Sequence, residues 1–286
     1  MPYIPDVSEA VGAVSATWAG RKIIGPTLDK MGDQLKERYS TFSEKNLLQI
    51  VNRAERKLGS SVSDPGEIPP RVLIRVLDEG AWCESPIMAE YFGGILAASR
   101  SIDEGDDRGS SWAGFVSRLA TFDVYMHYLI YDAFRDLYLG RSDLNLGLDT
   151  DRTTEKTGIY IPLHSMCAAL EIETSLESWN SIVVPSFVAL VREDLIDPRW
   201  SAGSVESLTE TWHIDAPELG LVFCPSLHGI QLFDWAHANA NGGTNSILKP
   251  EDSYSVDLDI NHLSDCQRLG DMQGLRVARA AASADD

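Results

Sequence analysis

Basic residues are scarce in this chain. Its 286 residues hold 24 Lys and Arg against 43 Asp and Glu, a formal net charge of -19 at pH 7. A surface of that sign repels phosphate backbones and anionic lipid before contact, so a general affinity for nucleic acid is disfavoured. Cysteine is sparse too. Cys83, Cys167, Cys224 and Cys266 stand far apart and no C-x-x-C occurs. This argues against a zinc ribbon and a disulfide scaffold, and isolated thiols suit a reducing compartment. No Gly-Lys dipeptide exists, which removes the Walker A phosphate loop. No two glycines stand two apart, so the G-x-G dinucleotide turn is missing. Gly105/Gly109 and Gly270/Gly274 have the spacing of a nucleophile elbow, but Asp107 and Met272 occupy the serine position.

The residues that do carry chemistry are scattered. His127, His164, His213, His228, His237 and His262 form neither H-E-x-x-H nor a close pair. Asp257, Asp259 and Asn261 begin like a calcium loop, yet His262 stands where Gly is needed and Arg268 where the bidentate Glu is needed. Asp103, Gly105 and Asp107 fail in the same way, with Gly114 at the twelfth position. Glu84 and Glu90 lack the matching E-x-x-H of a di-iron bundle. The sequence therefore assigns no catalytic residue, no metal ligand and no cofactor.

Helical spacing fills the first half. After Gly25-Pro26, with proline suited to a first helical turn, apolar residues recur at Leu28, Met31, Leu35, Tyr39 and Phe42, then at Leu47, Val51, Ala54 and Leu58. Gly59 supplies the stop. One helix over Leu28–Leu58 would be about 45 Å long. Residues 1–60 hold 9 basic against 7 acidic side chains, whereas the remainder holds 15 against 36. Upstream, Val7, Val11, Val14 and Trp18 share a face. That stripe suits a partner helix, a second copy or an antiparallel hairpin with the next helix; a membrane surface is the weaker reading. Met1-Pro2-Tyr3-Ile4-Pro5-Asp6 has no basic n-region, so a cytoplasmic protein is expected.

Prolines punctuate the next stretch. Pro69-Pro70 opens a helix through Trp82, and Ser85-Pro86 caps another running to Arg100. Gly93-Gly94 lies inside that helix at a cost of about 1 kcal/mol each relative to Ala, which predicts a close helix contact there. Trp112 to Leu139 reads as two helices or one bent helix. Its stripe of Tyr125, Tyr128, Tyr131, Phe134 and Tyr138 predicts core. Beyond the turn-rich 140–158 segment, a strand or loop at Ile159, a helix over Ser186–Asp194, an extended piece from Leu195, a strand at Leu221–Cys224 and a helix capped by Ser226 predict a smaller α+β unit resembling a winged helix.

The expected fold is thus mainly α: a helical domain over 1–140, a winged-helix-like unit over 158–238, and a mobile tail over 239–286. The order of Gly25-Pro26, Lys45-Asn46-Leu47-Leu48-Gln49-Ile50, Arg53-Ala54-Glu55-Arg56-Lys57-Leu58, Ile68-Pro69-Pro70-Arg71-Val72-Leu73, Met88 to Ala97, Phe115 to Leu119 and Leu190 to Ile196 resembles the abortive infection alpha family of bacterial phage-defence proteins. Tyr91-Phe92-Gly93-Gly94 departs from it where that family more often has a Trp-Ala pair, and the 140–158 and 198–218 segments read as inserts. The resemblance implies a defence effector or sensor acting through protein binding, and it brings no catalytic residue with it. The expected partner surface is the N-terminal stripe of Leu28, Met31, Leu35, Tyr39 and Phe42, used for a protein partner or self-association. The rival readings are a winged-helix transcriptional regulator, which lacks a basic recognition helix, and a metal-dependent hydrolase or nuclease assembled from distant acids.

Overall fold

Three of the described helices start with a proline in the first turn, where no backbone donor is wasted. The computed structural model describes residues 22–23, 44–100, 105–252, 254, 256, 258–274 and 276. It divides into two compact units that interleave along the sequence. The first takes residues up to Thr121, Asp234–Asn241, and the described part of Ser253–Leu258.

The first unit is helical. It contains α1 (Glu44–Leu58), a 3-10 turn (Gly59–Ser63), α2 (Pro70–Gly80), α3 (Pro86–Ala98) and α4 (Arg108–Val116). Gly59 has φ +53, a left-handed conformation that lets the chain leave the α-helical path after α1. Pro70 and Pro86 each open a helix. Ser85 precedes α3 in extended backbone, but its side chain makes no capping hydrogen bond, contrary to expectation. The two prolines set the helix starts without it. Leu47, Ile50, Val51 and Ala54 form the buried stripe of α1. Only part of the long helix expected over Leu28–Leu58 is described, and residues 28–43 lie outside the described residues.

The Gly93-Gly94 pair lies where α3 meets other backbone. A Cβ on Gly93 would lie 2.9 Å from the Ile50 carbonyl oxygen. A Cβ on Gly94 would lie 1.8 Å from the carbonyl oxygen of Ala236. Neither position has room for a side chain, so the helix-propensity cost of two glycines is offset by close approach.

The second unit takes Phe122–Phe233, Gly242–Asp252 and residues from Asp259 on. It includes nearly all of α5 (Thr121–Tyr138), then α6 (Thr154–Thr157), β1 (Ile159–Pro162), α7 (Leu163–Ala169), α8 (Leu176–Ser178), a π turn (Trp179–Val183) and α9 (Val184–Arg192). These lead to β2 (Ile196–Gly203), α10 (Val205–Trp212), β3 (Gly220–Pro225), most of α11 (Leu227–Ala236), whose last three residues belong to the first unit, a 3-10 turn (Ser246–Leu248) and β4 (Gln267–Arg268). The four strands form one antiparallel sheet in the order β2-β3-β1-β4. The architecture is therefore mainly helical with a small α+β unit. Among the described residues, no helix is long and apolar enough to cross a membrane.

Alternation along the strands divides the core of this unit. Tyr160 and Val222 are partners in register and share one face, where they join Leu208, Ile214, Ala216, Leu269 and Met272. Phe223 points the other way and meets Phe187 at 5.9 Å between ring centroids. Pro198 interrupts β2 within the irregularity between Ile196 and Trp200, which is tolerable only because β2 is an edge strand. The segment expected to be a tail supplies β4, which covers the opposite edge through the pairs Ile159–Arg268 and Tyr160–Gln267.

The aromatic stripe of α5 is buried at Tyr128, Tyr131, Phe134 and Tyr138. The Tyr131 and Tyr138 hydroxyls are also hydrogen-bonded, as buried polar groups generally are. Tyr131 donates to the Leu195 carbonyl at 2.7 Å and accepts the Ser226 N–H at 3.1 Å. Tyr138 donates to the Gly158 carbonyl at 3.0 Å. These contacts explain why α5 belongs to the second unit, although spacing alone places it with the helices before residue 140. Ser226 caps α11 as expected: its hydroxyl accepts the Gly229 N–H at 2.9 Å.

Candidate functional site

Leu28, Met31, Leu35, Tyr39 and Phe42, the expected partner surface, lie outside the described residues. Within the first unit, a groove runs between α2 and α4. Helix α2 carries Arg71, Ile74, Arg75 and Asp78, and the spacing of three and four places them on one face. Ser110, Ser111 and Gly114 of α4, with Arg118 just beyond its end, form the opposing wall. The groove between them has a volume of about 700 Å³, within the roughly 300–1,000 Å³ of small-molecule sites.

Two of its arginines have defined seats. A Cβ on Gly114 would lie 2.8 Å from one guanidinium nitrogen of Arg75 and 2.9 Å from Nε, so the absent side chain is what lets this head group settle against α4. The Arg118 guanidinium stands 4.9 Å above the centre of the Phe115 ring, a cation–π arrangement. Arg71 reaches Asp107 at 2.9 Å, and Arg75 reaches Glu79 at 3.3 Å. Both pairs are substantially exposed. The hydroxyls of Ser110 and Ser111 have no hydrogen-bond partner among the described residues. The lining carries three guanidinium groups against the carboxylate of Asp78, opposite in sign to the chain as a whole.

A second polar cluster of this unit is closed to ligands. Glu90 of α3 is 2% exposed. Its oxygens face Arg53 Nε at 2.7 Å, Lys57 Nζ at 3.0 Å and an Arg56 nitrogen at 3.8 Å. The Arg53 Nε–H is not aligned on the oxygen, so that contact is an ion pair without a hydrogen bond. Burial lowers the Lys57 pKa, and the Glu90 charge works against that shift. In the sequence, Glu90 stands out only as an iron ligand without its matching histidine motif. Its structural use is to join α1 and α3.

The second unit holds two clasps on its C-terminal segment. His164, at the start of α7, stands between two carboxylates. Its Nδ1 is 2.7 Å from Glu218 and its Nε2 is 3.3 Å from Asp265. Further along, His262 Nδ1 is 2.7 Å from Asp132 of α5. The hydrogen bond to Glu218 comes first in raising the His164 pKa, with Asp265 adding to it. A raised folded pKa means that the fold prefers the imidazolium. The stabilisation is complete below the ordinary value of 6.5 and drains away as pH rises through the higher folded value. In a proton-detected imidazole titration, His164 is expected to titrate above 6.5 in the wild type and lower in Glu218→Gln. Equal midpoints in the two proteins would refute the clasp.

His127 is the opposite case. It is fully buried, and burial drives its pKa down to about 3. The Gly229 carbonyl, 3.2 Å from Nε2, only accepts, so the proton of the neutral ring is on Nε2. The cysteines are not poised as nucleophiles, because burial raises Cys83 to about 11 and Cys224 and Cys266 to about 12. Among the described residues no group of three His, Cys, Asp or Glu side chains is placed to hold a metal ion.

The arginine groove is not visible in the sequence, where Arg71 and Arg75 are simply parts of a helix. The available signal is their spacing: like charges four apart on a helix are mutually unfavourable by roughly 0.2–0.5 kcal/mol, which asks for a reason. No protein-family model, curated protein or solved structure matches this chain.

Proposed function

We propose that this chain works by binding, as a cytoplasmic effector or sensor of antiviral defence, and that the groove between α2 and α4 is a site of that binding. The observation that carries the binding reading is the groove's lining. Arginine stays charged at every physiological pH and has no acceptor, so three guanidinium groups suit it to holding a ligand and not to moving protons. The defence role rests on the resemblance of the sequence motifs between Gly25 and Ile196, in their order along the chain, to the abortive infection alpha family. Expression in a susceptible host, with phage challenge, tests both. Wild type is expected to lower plaque numbers, and Arg71→Met/Arg75→Met/Arg118→Met to lose that protection while staying soluble and helical by circular dichroism. Unchanged plaque numbers and culture survival with wild type across a broad phage panel would sink the defence role.

The N-terminal stripe of Leu28, Met31, Leu35, Tyr39 and Phe42 is proposed to dock a protein partner or a second copy. Its apolar spacing and the near-neutral charge of the first 60 residues support this in a chain that is otherwise acidic. Replacing Leu28, Leu35 and Phe42 with Ser is expected to give a smaller particle in light scattering with an unchanged helical spectrum. Loss of the spectrum instead would mean that the stripe is core.

A further inference from the structure

We propose that the α2–α4 groove recognises a phosphate monoester in its dianionic form, an inference that rests on reading this groove as a binding site. The argument begins with competition. Arg71 and Arg75 already touch carboxylates of this chain, Asp107 and Glu79. These carboxylates are tethered beside the arginines, so a free monocarboxylate offers nothing that they do not supply. A ligand must bring more charge and more acceptors in one group. A phosphate monoester brings close to two charges at neutral pH and three terminal oxygens. The exposed pairs it would displace are weak.

The groove also fits a tetrahedral group approached from two sides. Arg71 and Arg75 are one helical turn apart, with Cβ atoms about 5–6 Å apart at that spacing. Arg118 and the hydroxyls of Ser110 and Ser111 line the other wall. Guanidinium groups supply forked donors, and the hydroxyls can donate to a remaining oxygen. Gly114 and Phe115 hold two of the guanidinium groups before any ligand arrives, which reduces the ordering cost of binding. Asp78 is the one lining carboxylate, and it leaves the wall with a net positive charge. The volume of about 700 Å³ leaves room for whatever carries the phosphate.

The probes are inorganic phosphate, phenyl phosphate, a short phosphoserine peptide and sulfate, titrated calorimetrically into the full chain. Shifts of the Ser110, Ser111 and Gly114 amide signals locate the site. Saturable binding of the phosphate probes is expected, with at least about tenfold loss in Arg75→Met and in Arg118→Met, as fits the removal of a charge-assisted contact. Arg141→Met in the second unit should bind as wild type does. Because the second ionisation of a phosphate monoester falls near pH 6, affinity for phenyl phosphate should rise several-fold from pH 5 to 7.5. Sulfate, a dianion throughout, should rise less. A peptide that binds more tightly than phenyl phosphate assigns the phosphate to a phosphorylated protein, and equal affinity assigns it to a small molecule. No saturable binding, binding indifferent to Arg75 and Arg118, or identical pH profiles for phosphate and sulfate would overturn the proposal.

The two readings can fail separately. Probes that do not bind, alongside a groove variant that loses phage protection, would overturn the phosphate assignment and leave the binding role. Probes that bind as described, alongside a variant that protects normally, would support the assignment and remove the groove from defence.

Discussion

Gly94→Ala is expected to destabilise the protein by about 3 kcal/mol or more, at or beyond the upper end of ordinary overpacking. The new methyl carbon would be built 1.8 Å from the Ala236 carbonyl oxygen and 2.2 Å from its carbonyl carbon. Both obstacles are backbone, so no rotamer change relieves the clash. Either α3 must shift or the end of α11 must. Alanine's better helix propensity, worth about 1 kcal/mol, acts in the other direction and is too small to compensate. Gly274→Ala is the control, because a Cβ there meets nothing within 4 Å. Urea denaturation of both variants decides the matter. A Gly94→Ala midpoint equal to that of Gly274→Ala would show that α3 and residue 236 are not in contact.

Glu90→Ala should cost a comparable amount, about 3–5 kcal/mol, through charge instead of volume. The substitution removes the carboxylate between Arg53 and Lys57, whose side chains are 10% and 8% exposed. Two cations would then be held near each other, away from water and without a counter-charge. Burial already lowers the Lys57 pKa with Glu90 present, and the loss of Glu90 would lower it further. The intact cluster need not be stabilising relative to an apolar one. Arg53→Met/Lys57→Met/Glu90→Leu should therefore recover much of the loss in the same denaturation experiment. A triple variant no more stable than Glu90→Ala would mean that volume, not unpaired charge, caused the damage.

Much of the first unit can be read from local rules. Proline at a first turn marks α2 and α3, and left-handed Gly59 marks the end of α1. Gly93-Gly94 announces a close backbone contact because two glycines in a helix need a cause. The all-buried strand β3 also stands out as a short apolar run. Strand β2 is legible only at its start, as the extended piece from Leu195, because beyond it a half-exposed edge strand with Pro198 inside breaks the period-two alternation. Helix α10 is lost in the same polar stretch, where Leu208 is its one buried residue. β4 has two residues and no pattern to find. The arginine groove is illegible for a different reason. Arg118 joins Arg71 and Arg75 only through the placement of α4 against α2, and sequence spacing says nothing about which helices become neighbours.

The edge pairing of Tyr160 with Gln267 joins residues 107 positions apart. During synthesis at roughly 5–20 residues per second, β1 leaves the ribosome about 5–20 seconds before the strand that covers it. β3 arrives sooner and can pair with one side of β1, but the other side stays open until Gln267 and Arg268 have been made. An uncovered strand edge on a nascent chain invites pairing with neighbours on the same polysome. Yield in a cell should therefore depend on translation speed and on holdase chaperones more than the stability of the finished protein would suggest.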